Sequence, residues 1–178
     1  WTEVNDMDVA KSAMGSSGTQ TSAVAYAGSG TPREIASAET WNGTNWTEVN
    51  SLNSARLNLA GAGADNTSAL AFGGESSPSP AMANTELWNG SNWTEVNDLN
   101  TATQTLGSAG TATAALAFGG ETPAEAESAK TESWNGTNWT NENNLNTVVV
   151  QGGGSGTSTS ALSFGGDNPS PTAQTEEW

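Results

Sequence analysis

Carboxylates are the only side chains in this sequence suited to act as catalytic acid and base. The 178 residues include 19 Asp and Glu but no Cys and no His. That removes thiol nucleophiles, disulfides, Cys/His zinc sites and the usual general base. A serine nucleophile lacks its histidine, and no glycine-rich phosphate loop of the required spacing occurs. Three carboxylate pairs stand out by position: Glu39 with Glu48, Glu86 with Glu95, and Glu3 with Glu176, each two residues outside a tryptophan pair. A four-residue turn would set the members of a pair opposite one another, where like charges repel and a hard cation would find oxygen ligands. A two-residue Asn-Gly loop would instead oppose Glu86 to Trp93. The competing reading makes these residues charges that block edge pairing on an outer strand, and Asn141 opposite Glu132 favours it. The expectation is therefore no catalytic residue, no metal and no cofactor.

The elements that would position such groups are written in tryptophan. Trp-Asn-Gly-Thr/Ser-Asn-Trp-Thr occurs whole at 41–47, 88–94 and 134–140, and in halves at 1–4 and 176–178. All eight tryptophans belong to this unit. Its second Trp falls at positions 1, 46, 93 and 139, a period of about 46 residues shared by propeller blades and helical HEAT-type repeats. Each repeat is rich in Gly, Asn, Thr and Ser and has short alternating runs bounded by turn residues, which reads as strands. In the second repeat the runs are 46–49, 57–63, 68–74 and 84–88, and four strands make one blade. Runs 22–28, 114–120 and 160–166 match the apolar third strand. The expected fold is all-β: a propeller of about four four-stranded blades in one domain, with repeats 1–45, 46–92, 93–138 and 139–178. In this reading the N-terminal strand, residues 1–4, pairs beside 175–178 and closes the last blade. An excerpt of a longer array, or two copies forming an eight-bladed ring, remain open alternatives.

Phe72-Gly73-Gly74, then Glu86-Leu87-Trp88-Asn89-Gly90, Trp93 and Leu99 resemble the kelch motif, a hydrophobic strand ending in Gly-Gly followed by an aromatic, a turn and a Trp. Gly119-Gly120 and Gly165-Gly166 repeat the pattern, while the first repeat departs with Tyr26-Ala27-Gly28. Arg56 matches an Arg often found after the fourth kelch strand, where Lys11, Thr103 and Val149 stand in the other repeats. The wording Trp-Asn-Gly-Thr-Asn-Trp-Thr with Ala-Leu-Ala-Phe-Gly-Gly is also similar to kelch-like repeat proteins of marine bacteriophages. The resemblance implies strands A to D running outward from the centre of each blade. Copper oxidases of the kelch family use Cys, Tyr and His, so a chain with Tyr26 alone is excluded from that chemistry.

Charge narrows the partners. Only Lys11, Arg33, Arg56 and Lys130 are cationic, and the formal charge is −15. Phosphate binding needs the opposite balance, so nucleic acid is not an expected partner. No apolar run approaches the length of a spanning helix, and no membrane insertion is expected.

Propeller topology places A–B and C–D turns on one face and B–C and D–A connections on the other. The C–D turns agree closely among the repeats (42–45, 89–92, 135–138), whereas the B–C loops differ at 29–36, 75–82, 121–129 and 167–172. Variable loops on a rigid scaffold carry recognition, although drift on an unconstrained face would look the same. The candidate ligand-binding residues on that face are Lys11, Arg33, Glu34, Arg56, Glu75, Ser77, Glu121, Glu125, Asp167 and Asn168. The expected function is a non-enzymatic binding or structural module. The phage resemblance implies a virion or extracellular component, a fibre or adhesin that recognises a host-surface glycan or protein, with homo-oligomer or virion assembly open. The alternative is the accessory propeller of a secreted carbohydrate-active enzyme.

Overall fold

The computed structural model describes residues 1–31, 33–77, 79–124 and 126–178, and no helix occurs among them. The chain is a four-blade β-propeller of antiparallel sheets. Blade one is β1 (Gly15–Thr19), β2 (Ser22–Tyr26), β3 (Ala38–Trp41) and β4 (Trp46–Val49), in that order. Blade two is β5 (Ala60–Asp65), β6 (Ser68–Phe72), β9 (Thr85–Trp88) and β10 (Trp93–Val96), with a small hairpin, β7 (Glu75–Ser76) and β8 (Ser79–Ala81), inside its B–C loop. Blade three is β11 (Gly107–Thr111), β12 (Ala114–Phe118), β13 (Thr131–Trp134) and β14 (Trp139–Asn141). Blade four has three strands, β15 (Gly153–Thr157), β16 (Ser160–Phe164) and β17 (Thr175–Glu177).

The expected closure of the last blade by the N-terminal strand does not occur. Residues 1–4 form no strand and do not pair with β17. Asn5, the next residue, is fastened to blade one, where its Nδ2 donates to Thr44 O (3.0 Å) and Asn45 Oδ1 (2.6 Å).

The innermost strands are Gly-, Ser- and Ala-rich because they stand close together, β1 on β5, β5 on β11 and β11 on β15. Gly61 of β5 shows the need: a Cβ there would run into the Tyr26 hydroxyl of the preceding blade. The second strands supply the apolar filling. Val24, Leu70 and Leu116 are buried, as are Tyr26, Phe72 and Phe118 two positions on.

The tryptophan hairpins form the outer half of each blade. Trp41 faces Trp46, Trp88 faces Trp93 and Trp134 faces Trp139 across four-residue turns, with ring centroids 5.5, 5.4 and 5.4 Å apart. In the first turn Asn42 Oδ1 accepts from the amides of Thr44 (3.0 Å) and Asn45 (2.9 Å), while Gly43 takes a φ of 92°. That left-handed conformation carries no Cβ penalty for glycine. The first Trp of each hairpin donates its indole N–H to the A–B turn: Trp41 to Gln20 O, Trp88 to Asn66 O, Trp134 to Ala112 O and Trp178 to Ser158 O. The second Trp reaches backward to the preceding blade. Trp93 meets Tyr26 edge-on and Trp139 meets Phe72 likewise, both at 4.8 Å.

Candidate functional site

The registers place Glu39 opposite Glu48 and Glu86 opposite Glu95, and Glu132 opposite Asn141. The four-residue turn therefore sets the pairing, not the two-residue one. The members of each pair have different surroundings, however. Glu48 and Glu95 are exposed, whereas Glu39, Glu86 and Glu132 are buried. Each buried carboxylate holds the D–A connection that crosses over it. Glu86 accepts from Asn53 N (2.7 Å), Asn53 Nδ2 (2.9 Å) and Arg56 Nη1 (2.9 Å). Glu132 accepts from Asn100 N, Asn100 Nδ2 and Thr101 N, and Glu176 from Asn146 N, Asn146 Nδ2 and Thr147 N. Glu39 accepts from Asp8 N, Val9 N and the Lys11 ammonium at 3.1 Å. No group of three or more His, Cys, Asp or Glu positioned to hold a metal ion occurs among the described residues.

These contacts fix where Lys11 and Arg56 lie. Both side chains are fully buried in ion pairs, so they are anchors of the D–A connection and present nothing to a ligand. Burial pulls the Arg56 guanidinium below its ordinary pKa, and the Glu86 carboxylate beside it opposes that shift. Lys11 also donates to Ser37 O and Oγ, and Arg56 to Ala71 O.

The B–C loops do share a face with the segments that lead into the first strands. Isolated bridges join Ser12 to Ser29, Leu57 to Glu75, Gln104 to Glu121 and Val150 to Asp167, one in each blade. Four of the candidate residues meet between blades one and two. Arg33, 57% exposed, places Nη1 at 3.1 Å from Glu34 Oε1 and Nη2 at 3.7 Å from Glu75 Oε1. Glu34 Oε1 accepts from the Ser77 amide (3.0 Å), and Glu75 Oε1 from Asn58 Nδ2 (2.9 Å). Glu121 is held by Gln104 Nε2 at 3.1 Å, and Asp167 bridges to Val150 and Pro171. The Asn168 amide donates to Ser170 O. No hydrogen bond or ion pair among the described residues connects Glu121, Asp167 or Asn168 to the Arg33 cluster. Glu125 lies outside the described residues.

Two structural contacts escape a reading by spacing alone. The first is the clamp, although its signal is in the sequence: Leu52-Asn53, Leu99-Asn100 and Leu145-Asn146 recur at one place in the repeat. The second is a staple between blades, in which Asn50 Nδ2 donates to Ser91 O and Asn92 Oδ1, and Asn97 Nδ2 to Thr137 O and Asn138 Oδ1. Asn5 makes the same pair of bonds to blade one.

No protein-family model matches this chain, and no curated protein matches it either.

Proposed function

We propose that the chain is a kelch-type propeller serving as a non-enzymatic binding or structural module. It acts as a virion component, a fibre or adhesin, that engages a host-surface glycan or protein through its B–C and D–A loops. The observation that carries this reading is the Arg33 cluster, an exposed guanidinium flanked by Glu34 and Glu75 on loops from two blades. Such a group offers donors and acceptors side by side on a rigid support, the combination that hydroxyl-rich or peptide ligands require. The conserved carboxylates of the repeat are occupied by backbone amides, which supports a scaffold role for them. The Gly-Gly and Trp-Asn-Gly pattern supports the kelch assignment, and the phage-like wording supports the virion setting.

The test is a glycan array and a panel of intact bacteria probed with labelled chain, alongside a glycoside hydrolase screen. Retention on a defined subset is expected, reduced at least tenfold in R33A/E75A. Retention unchanged in that variant would remove the cluster from recognition, and turnover without retention would favour a carbohydrate-active enzyme.

A further inference from the structure

Blade three has a hole where blades one and two keep a cation. Lys11 and Arg56 stand just ahead of the first strands of blades one and two, and both side chains are wholly buried. Arg56 Nη1 lies 2.9 Å from Glu86 Oε1, and Lys11 Nζ 3.1 Å from Glu39 Oε1. Each also donates to a backbone carbonyl, Arg56 to Ala71 O and Lys11 to Ser37 O. Thr103 stands at that place in blade three. Its side chain ends well short of where a guanidinium would reach, and a cavity of about 10 Å³ remains, bordered by Leu99, Thr103, Leu106, Ala117, Lys130 and Glu132. Leu52, Arg56, Leu59, Ala71, Asn84 and Glu86 hold the equivalent positions in blade two. The cavity is therefore the volume that Arg56 fills one blade earlier.

Charge distinguishes this cavity from an ordinary packing void. Glu132 is 3% exposed and accepts from Asn100 N, Asn100 Nδ2 and Thr101 N. Those donors take three of a carboxylate's roughly four lone-pair sites, which meets its hydrogen-bonding need. None of them carries a formal positive charge, however, and a buried anion is stabilised by a counter-charge. Blades one and two supply one. Lys130 borders the cavity, but it is exposed and its ammonium donates to Thr101 Oγ1 at 3.1 Å. Among the described residues no ion pair joins it to Glu132. The remaining polar groups of the wall are oxygens. Ala117 is the counterpart of Ala71, whose carbonyl receives Arg56, and Thr103 Oγ1 gives its proton to Thr101 O at 3.0 Å and keeps its lone pairs. A carboxylate, a carbonyl and a hydroxyl are hard ligands suited to a hard cation, and about 10 Å³ is the room that one water-sized particle needs.

We infer that this cavity binds a single monovalent cation of about the size of water, potassium or ammonium, which takes in blade three the place of the Arg56 guanidinium in blade two. The Glu132 carboxylate is its counter-charge, and Ala117 O and Thr103 Oγ1 are its further ligands. A divalent ion does not suit the site, because one carboxylate leaves much of its charge unmatched and no group of three or more His, Cys, Asp or Glu surrounds it among the described residues. Occupancy adds to stability without being required for folding, since Glu132 keeps its three N–H donors either way.

Thermal unfolding of the intact chain in potassium chloride, compared with tetramethylammonium chloride at equal concentration, tests the site, because tetramethylammonium screens charge but is too large to enter. A saturable rise in Tm of about 2–4 °C is expected in potassium. It should vanish in E132Q. It should also vanish in T103R/K130N, which rebuilds the arrangement of blade two and fills the cavity with a guanidinium. Crystals soaked in rubidium chloride should show an anomalous peak beside Glu132. Equal Tm values in the two salts overturn the proposal, as does a potassium effect that survives in T103R/K130N, which would place the ion elsewhere. A potassium effect that appears only in K130N overturns it too, because Lys130 itself would then fill the cavity in the native chain. So does a rubidium soak that leaves no peak at Glu132, which would make the occupant water.

Discussion

Blades two and three solve one problem with different chemistry. In both, a buried glutamate from the third strand holds the connection that leads into the blade, and in both an asparagine supplies a backbone and a side-chain N–H. Blade two then adds the Arg56 guanidinium to Glu86, whereas blade three adds only the Thr101 amide to Glu132. Thr103 occupies the position of Arg56. The difference separates what the fold requires from what it tolerates. A desolvated carboxylate needs its lone pairs filled, and three amide-type donors meet that need without a cation. Once a cation is buried there, the carboxylate becomes obligatory for the cation as well.

That asymmetry predicts the largest effect. Removing Glu86 as E86A leaves Arg56 charged, buried and unpaired, which should cost about 3–5 kcal/mol in urea unfolding. E132A strands only neutral donors, all three on exposed or half-exposed residues where water can replace the carboxylate, and should cost about 1–3 kcal/mol. Equal losses in the two variants would mean that the guanidinium adds nothing and that the blades are equivalent.

The same comparison explains which parts of this molecule are legible in its sequence. The hairpins are, because Asn42 and Gly43 have a local reason to be there: one supplies an Asx acceptor and the other a positive φ. The apolar second strands are legible because their residues alternate only with small ones. Lys11 and Arg56 are not, because their position varies among repeats as a recognition position would. The variation reflects a clamp already satisfied by asparagine, and only the long-range contact to a glutamate some thirty residues away reveals it. The Arg33 cluster is visible in part, since its members lie in variable loops, but its pairing across two blades depends on how blade one sits beside blade two. That residues 1–4 form no strand is likewise invisible, because they repeat the sequence of β4 and β10, which do.

The junctions between blades differ as well. Tyr26 stands where Phe72 stands one blade later, and its hydroxyl reaches Leu70 O at 3.3 Å. Burial raises the Tyr26 pKa far above its ordinary value of 10.0. In the unfolded chain the phenol ionises at about pH 10, while in the folded chain it stays neutral. Stability linked to this residue is therefore fully present below pH 10 and falls as pH rises toward the folded value, by about 1.4 kcal/mol per pH unit. At pH 11.5 the native chain should have lost about 2 kcal/mol from this source. Y26F, which makes the first junction chemically like the second, should lack that fall, because no other tyrosine is present. Parallel alkaline curves for the two proteins would show that Tyr26 is not sealed in the junction.

The smallest effect concerns one hydroxyl. Trp139 donates to Thr85, but Trp93, its counterpart one junction earlier, faces Ala38 in place of threonine, and its buried indole nitrogen has no partner. Thr85 is fully buried at the equivalent position and is opposed by Phe72 and Val96, as Ala38 is by Tyr26 and Val49. A threonine is thus accommodated by this geometry elsewhere in the same molecule. A38T should provide Trp93 with the missing acceptor and stabilise the chain by about 1 kcal/mol, the usual net value of one hydrogen bond. T85A should do the reverse at the next junction and leave Trp139 in the condition of Trp93, at a cost of about 1–3 kcal/mol. The two changes act on different junctions, so the double variant should show the sum within about 0.5 kcal/mol. Urea midpoints of the four proteins measure this directly. A38T that destabilises would show that the first junction is narrower than the second, and that Ala38 is set by the larger Tyr26 across from it rather than by a tolerated orphan N–H.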